Sequence, residues 1–171
     1  MIETPRLILR RWKERDRAPF AAMHADADVM HDLGGPFSRE ASDAKFDRYA
    51  AAFDRDGYSR WVLENREGLF LGYTGVLHRS EHPIGAHDEI GWRLIRAAWG
   101  QGFATEAAKA ALRDAFMRVG LKEVLSYTAP DNLRSQAVMA RLELHRDPSR
   151  DFTADFGAGD WHGLMWVARP A

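Results

Sequence analysis

The chain has 171 residues, a length that favours one domain, and with 46% hydrophobic and 29% charged residues it is excluded from the disordered class. Lys and Arg total 24 against 25 Asp and Glu, so the net charge of -1 excludes the whole-domain basic field of a nucleic-acid-binding protein. The absence of Cys excludes disulfides, Cys-ligated zinc, thiol nucleophiles and iron–sulfur clusters together.

Alternation in Arg6–Trp12 predicts a strand with Leu7 and Leu9 on one face. Residues Glu14–Ala25 read as a helix whose stripe of Phe20 and Met23 continues to Ala27. Ser38 opens a second helix carrying Phe46, Tyr49, Ala50 and Phe53, and Gly57 ends it. Tyr58–Glu64 and Leu69–His78 flank the turn Asn65–Gly68 and form a hairpin. After a polar loop over Arg79–Asp88, Glu89–Ile95 is again a strand. Arg96–Gly102 is a loop, and Phe103–Val119 is a helix with Ala104, Ala107, Ala108, Ala111, Leu112, Ala115, Phe116 and Val119 as its apolar stripe, capped by Gly120. Glu123–Thr128 is a short strand, and Asp131–Leu142 a helix with Asp131 or Asn132 at its N-cap. Asp151–Phe156 and Trp161–Ala168 close the chain as a strand pair. This order predicts a mixed α/β (α+β) fold with some parallel pairing across the Glu89–Thr128 unit. No linker, repeat or low-complexity tract divides residues 1–171, so one domain is expected. No stretch approaches the ~18 apolar residues of a membrane span, and Met1–Arg11 has no signal-peptide core. A cytoplasmic protein without a membrane or nucleic-acid partner is expected.

The strand Glu89–Ile95 runs through a loop with Gly100 and Gly102 straight into a small-residue helix. Such loops turn backbone N–H groups outward at a helix N-terminus, where they and the helix dipole bind phosphate. Thr105 stands where a dinucleotide fingerprint would have its third Gly, and no Gly-Lys-Ser/Thr follows. On the loop alone, a tight turn without a ligand stays open.

Trp99-Gly100-Gln101-Gly102-Phe103-Ala104-Thr105-Glu106-Ala107 resembles the acetyl-CoA pyrophosphate loop of the GNAT N-acetyltransferases, and within them the RimJ/RimL-like branch. Thr4-Pro5-Arg6-Leu7-Ile8-Leu9-Arg10 resembles that branch's opening strand, Glu89-Ile90-Gly91-Trp92 its fourth strand, and Asn132-Leu133-Arg134-Ser135 with Arg141-Leu142 its last helix. The Arg or Gln that opens the loop in the wider family is Trp99 here, its frequent general-acid Tyr is Met139, and its Leu-Gly-Phe ending reads Leu142-Glu143-Leu144. The resemblance implies a mostly antiparallel sheet of about seven strands flanked by about four helices, splayed between its fourth and fifth strands. It further implies that backbone groups around Arg93, Leu94 and Ile95 pair with pantetheine, that the segment Trp99, Gly100, Gln101, Gly102, Phe103, Ala104, Thr105 holds the pyrophosphate, and that Asn132 and Ser135 lie near the thioester. A homodimer is a family-level expectation.

Acetyl transfer to an amine requires removal of the ammonium proton and, at the leaving thiolate, a proton donor. Glu89, at the head of the strand leading to the loop, is the candidate base, directly or through water; a register shift of one would bring in His87 or Asp88. Met139 cannot donate a proton, so Ser135 is the candidate thiol-side donor and Tyr127 its competitor. His78, His82 and His87 have loop spacing and neither an HExxH motif nor a Cys partner, so no metal is expected. Asp32, Glu40 and Asp43 are surface charges that could attract a cationic amine. The expected activity is acetyl-CoA-dependent N-acetyl transfer to a small-molecule amine or a protein N-terminus by direct attack in a ternary complex. The alternative is a catalytically weak acyl-CoA-binding module.

Overall fold

Local sequence chemistry sets most element boundaries. The computed structural model describes residues 1–157 and 159–170. Strands β1 (Ile2–Glu3) and β2 (Leu7–Arg10) lead through a 3-10 turn at Glu14–Asp16 into α1 (Arg17–Ala25). Asp26 then accepts from the backbone N–H groups of Asp28 and Val29 and starts a separate helix, α2 (Ala27–Met30). Ala27 therefore leaves the stripe of Phe20 and Met23 that its spacing suggested and is exposed, while Val29 and Met30 are buried. Ser38 caps α3 (Arg39–Asp56) by accepting from Ala41 N–H, and Gly57, at φ 80°, ends it.

Strands β3 (Arg60–Asn65), β4 (Phe70–Arg79) and β5 (His87–Leu94) follow as an antiparallel meander. Helix α4 (Phe103–Asp114) continues into a π-helical turn, Ala115–Val119, where a regular helix was expected, and Leu121 N–H bonds Ala115 O across it. Strand β6 (Val124–Thr128), α5 (Leu133–Arg141), β7 (His145–Arg146), β8 (Phe152–Asp155) and β9 (Asp160–Ala168) complete the order. Among the described residues there are thus nine strands and five α-helices rather than about seven and four. The additions, β1, β7 and α2, are two to four residues long, too short to carry a periodic pattern.

The sheet order is β1-β2-β3-β4-β5-β6-β9-β7, with β8 also paired to β9. It is antiparallel except at β5–β6. One face packs Leu7, Leu9, Leu63, Ile90 and Leu94 against α4 and α5. The other packs Val62, Tyr73 and Leu77 against Phe20, Met30, Phe46 and Tyr49 from α1, α2 and α3. The parallel strands β5 and β6 pair only at Glu89 and Leu125, beyond which they part toward their C-terminal ends. This is the splay expected between the strands of Glu89–Ile95 and Glu123–Thr128, and it places an opening between two strands at the end where ligands of α/β sheets bind.

Candidate active site

At one side of the opening stands the N-terminus of α4. Gly100 and Gly102 have φ of 71° and 78°, left-handed conformations that L side chains rarely adopt. The first helical bond runs from Glu106 N–H to Gly102 O, so the N–H groups of Phe103, Ala104 and Thr105 project from the helix end. Arg6 braces this loop. Its Nη1 donates to Gln101 O at 2.8 Å and its Nε to Glu106 Oε2 at 2.6 Å, while the Thr4 hydroxyl donates to Glu106 Oε1 at 2.6 Å. The Gln101 side chain turns back to donate to Ala97 O at 2.7 Å, which leaves backbone at the loop's surface. Trp99 packs the loop, its Nε1 donating to Leu94 O at 2.9 Å, and its ring carries the Arg134 guanidinium 4.1 Å from the centroid.

Along the opening, Ile95 N–H donates to Leu71 O. In an antiparallel ladder this alternates, so the backbone groups of Arg93 and the N–H of Ile95 turn to β4, while those of Trp92 and Leu94 turn to the opening; Ile95 O accepts from Ala98 N–H. Of the three residues expected to pair with pantetheine, Leu94 alone has that orientation, and Trp92 joins it. The Arg93 side chain leaves the strand for α2: it donates to Val29 O and to both Asp32 carboxylate oxygens, at 2.7 and 2.9 Å. Asp32 is thereby committed to Arg93 and not free to attract an amine; Asp43 pairs with Arg39 at 2.9 Å and Glu40 is exposed.

Where β5 and β6 still pair, a buried polar cluster is assembled on the face shared with α1 and α3. Arg60 of β3 lies across Gly75 and Gly91, which stand in register with it on β4 and β5. A Cβ at Gly91 would sit 2.9 Å from Arg60 Nη2, so the glycine makes room for the guanidinium. Arg60 then reaches Glu89, Nη2 donating to Oε1 at 2.9 Å and Nη1 to the backbone O at 2.7 Å. The Tyr127 hydroxyl donates to Glu89 Oε2 at 3.0 Å. Burial alone would raise the Glu89 pKa, but Arg60, Arg79 and the Tyr127 hydrogen bond outweigh it and hold the carboxyl below its ordinary value. Burial and the Glu89 charge push the Tyr127 phenol well up, so it stays protonated. His87 shares this face, its Nε2 3.2 Å from the Tyr127 hydroxyl. Asp88 faces the other way and is held by the Tyr58 hydroxyl at 2.5 Å and His78 Nδ1 at 3.0 Å.

The GNAT acetyltransferase domain matches residues 6–145, most of the chain. The chain belongs to the GNAT acetyltransferase family. Among curated relatives, the uncharacterized protein YkkB of Bacillus subtilis is 29% identical over 144 residues, 83% of each chain. An acetyltransferase from Agrobacterium tumefaciens superposes with a TM-score of 0.84 at 26% identity, over 99% of this chain and 94% of that one. The ribosomal L7/L12 α-N-protein acetyltransferase RimL, in complex with coenzyme A, superposes with a TM-score of 0.74 at 17% identity, over 97% and 95% of the two chains. That last likeness is one of fold alone.

Two positions where this GNAT chain departs from the family pattern have structural consequences. Met139 is buried in the core beneath α5. Glu143, in place of the family's Gly, takes φ 58°, and the turn still closes through Leu144 N–H to Met139 O at 3.1 Å. Asn132 caps α5 by accepting from Ser135 N–H at 3.2 Å, and its Nδ2 points to Asp32 Oδ2 at 3.5 Å. Ser135 thus sits in the first turn of α5, one residue from Arg134, whose guanidinium lies over the Trp99 ring. Tyr127, the competing candidate for the thiol-side donor, donates to Glu89 Oε2. Arg60 and Arg134 were not foreseen. Arg60 carries no local signal. Arg134 does: a cation in the first turn of a helix opposes the dipole, and the Trp99 stack compensates it.

Proposed function

We propose that this GNAT chain transfers an acetyl group from acetyl-CoA to a primary amine by direct attack in a ternary complex. The observation that carries this reading is the braced glycine loop, with the free N–H groups of Phe103, Ala104 and Thr105, beside the opening between β5 and β6. It fits a pyrophosphate on chemistry alone: several donors converge on backbone that no side chain shields. Trp99, Gly100, Gln101 and Gly102 complete that cradle, Trp92 and the N–H of Leu94 offer backbone groups to the pantetheine arm, and Asn132 and Ser135 border its far end. Glu89 is the base that receives the ammonium proton, since only the neutral amine attacks the thioester; such a base contributes about 10²–10⁴-fold. Ser135 is the donor for the departing thiolate. With no Cys in the sequence, no thioester acyl-enzyme forms. The acceptor is a protein N-terminal α-amine or a small-molecule amine. The RimJ/RimL-like motifs favour the first.

Thermal unfolding with acetyl-CoA, and with NAD and ATP as controls, tests the reading. At ~100 times its dissociation constant a ligand stabilises by about 2.7 kcal/mol, which for this length raises Tm by roughly 5–10 °C. A rise with acetyl-CoA alone is expected, and no rise refutes the assignment. Thiol release against a panel of free-amine peptides and small amines then separates an enzyme from a binding module.

A further inference from the structure

Tyr127 Oη lies 3.0 Å from Glu89 Oε2, 3.2 Å from His87 Nε2 and 3.2 Å from His82 Nε2. The backbone decides which ring nitrogens carry protons. His87 Nδ1 lies 2.8 Å from Gly85 O, which can only accept, so Nδ1 holds the proton and a neutral His87 turns a bare Nε2 to Tyr127. His82 Nδ1 accepts from Ile84 N–H at 3.4 Å, so its proton is on Nε2 and is donated to Tyr127 Oη. The phenol therefore has one proton and two acceptors, Glu89 Oε2 and His87 Nε2. Arg60 on Glu89 Oε1, Arg79 (opposite His87 in the β4–β5 ladder and 3.9 Å from Glu89 Oε2) and the His82 ring are the other charged or titratable groups facing this chain.

We propose that Tyr127 and His87 relay the ammonium proton of the acceptor from Glu89 to the protein surface. The inference rests on the acetyltransferase reading with Glu89 as base. The acceptor R–NH3+ gives one proton to Glu89. That proton passes from Oε2 to Tyr127 Oη as the phenol's own proton passes to His87 Nε2. The carboxylate and phenol are restored, and His87 becomes an imidazolium donating to Gly85 O and Tyr127 Oη, from which solvent takes the proton. The neutral amine forms the C–N bond, the C–S bond breaks, and a second N–H proton ends on the thiolate sulfur. Tyr127 and His87 act through Glu89 and are positioning residues.

The test compares n-butylamine, ordinarily an ammonium at pH 7, with 2,2,2-trifluoroethylamine, ordinarily neutral there, each as acceptor with acetyl-CoA in the full chain. In His87→Gln and in Tyr127→Phe the butylamine-to-trifluoroethylamine rate ratio is expected to fall by roughly tenfold or more, the low end of a lost proton-transfer contribution. The two changes combined should do no more than either alone. An unchanged ratio in His87→Gln overturns the relay, because a merely structural role would slow both amines together. If Glu89→Gln also leaves the butylamine rate unchanged, the base assignment itself fails; if Glu89→Gln alone lowers it, the base stands and the relay falls. Should wild type acetylate neither amine, ring-15N spectra of His87 decide. A neutral Nδ1–H ring whose Nε2 signal shifts in Glu89→Gln, but not in Glu89→Gln on a Tyr127→Phe background, supports the relay. An Nε2–H ring overturns it.

Discussion

Glu143 and Gly91 show how single backbone positions carry the fold and the site. A non-glycine residue in the left-handed region costs about 1–2 kcal/mol, part of which glycine returns through its freer unfolded chain. Glu143→Gly is therefore expected to stabilise by about 1 kcal/mol, a Tm rise of roughly 2–4 °C for this length, read by thermal unfolding. Gly91 works in the opposite sense. Its backbone would tolerate alanine, but the added Cβ meets Arg60 Nη2 at 2.9 Å. Gly91→Ala should cost about 1–3 kcal/mol as an overpacked substitution and lower kcat as well, because the displaced guanidinium no longer orients Glu89. Loss of stability with full kcat would refute that link. The need for glycine at 91 was not legible locally. It arises from Arg60, thirty-one residues earlier, and appears only when the ladder sets the two in one row.

Among the elements, α4 and its loop were the most legible and α1–α2 the least. The alanine-rich stripe, the two glycines and Gly120 all act within a few residues, so a local reading finds them. The brace that makes the loop rigid is not local: Arg6 reaches Gln101 O and Glu106 across the sheet. Arg6→Ala is expected to weaken acetyl-CoA binding by roughly three- to tenfold, the worth of a partly exposed charged hydrogen-bond pair. Calorimetric titration checks this, with Arg113→Ala as an exposed control. At α1–α2, helical spacing continued through Ala27, but the Asp26 cap supplied a competing hydrogen bond and turned the chain. The turn buries Val29 and Met30 and brings Val29 O and Asp32 to Arg93.

Over the whole molecule, the layer of α1 and α3 on the sheet buries His24 completely, with Ser42 Oγ 2.9 Å from Nδ1 and no partner for Nε2 among the described residues. Burial, with the charges of Lys45 and Arg93, lowers its pKa to about 3. The folded state thus keeps this ring neutral where the unfolded chain, with a histidine pKa near 6.5, takes up a proton. Stability is full above about pH 6.5 and is lost as pH falls from there toward about 3. By pH 5 the loss is about 2 kcal/mol, roughly 4–8 °C in Tm. His82, also lowered by burial, adds in the same sense, whereas Glu89 and Glu106, held low, act only as pH falls through the carboxylate range. His24→Leu should flatten the Tm profile between pH 7 and 5. A profile as steep as wild type would remove His24 from this account.

Sequence by itself determined the longer elements and their order, the caps at Ser38, Gly57 and Gly120, and the glycine loop leading into α4. These depend on interactions within one helical turn or one strand alternation, so neighbouring residues suffice to specify them. Tertiary structure decided which carboxylate at the head of β5 joins the buried cluster of Arg60 and Tyr127. Glu89 and Asp88 are equivalent locally, and a register of one residue separates the face of Arg60 and Tyr127 from that of Tyr58 and His78. It also committed Asp32 to Arg93, turned Trp92 and Leu94 rather than Arg93 and Ile95 to the opening, and made Tyr127 the partner of Glu89, His82 and His87. Each of these pairings joins residues whose spacing along the chain carries no period, and only the packed sheet brings them within hydrogen-bond reach.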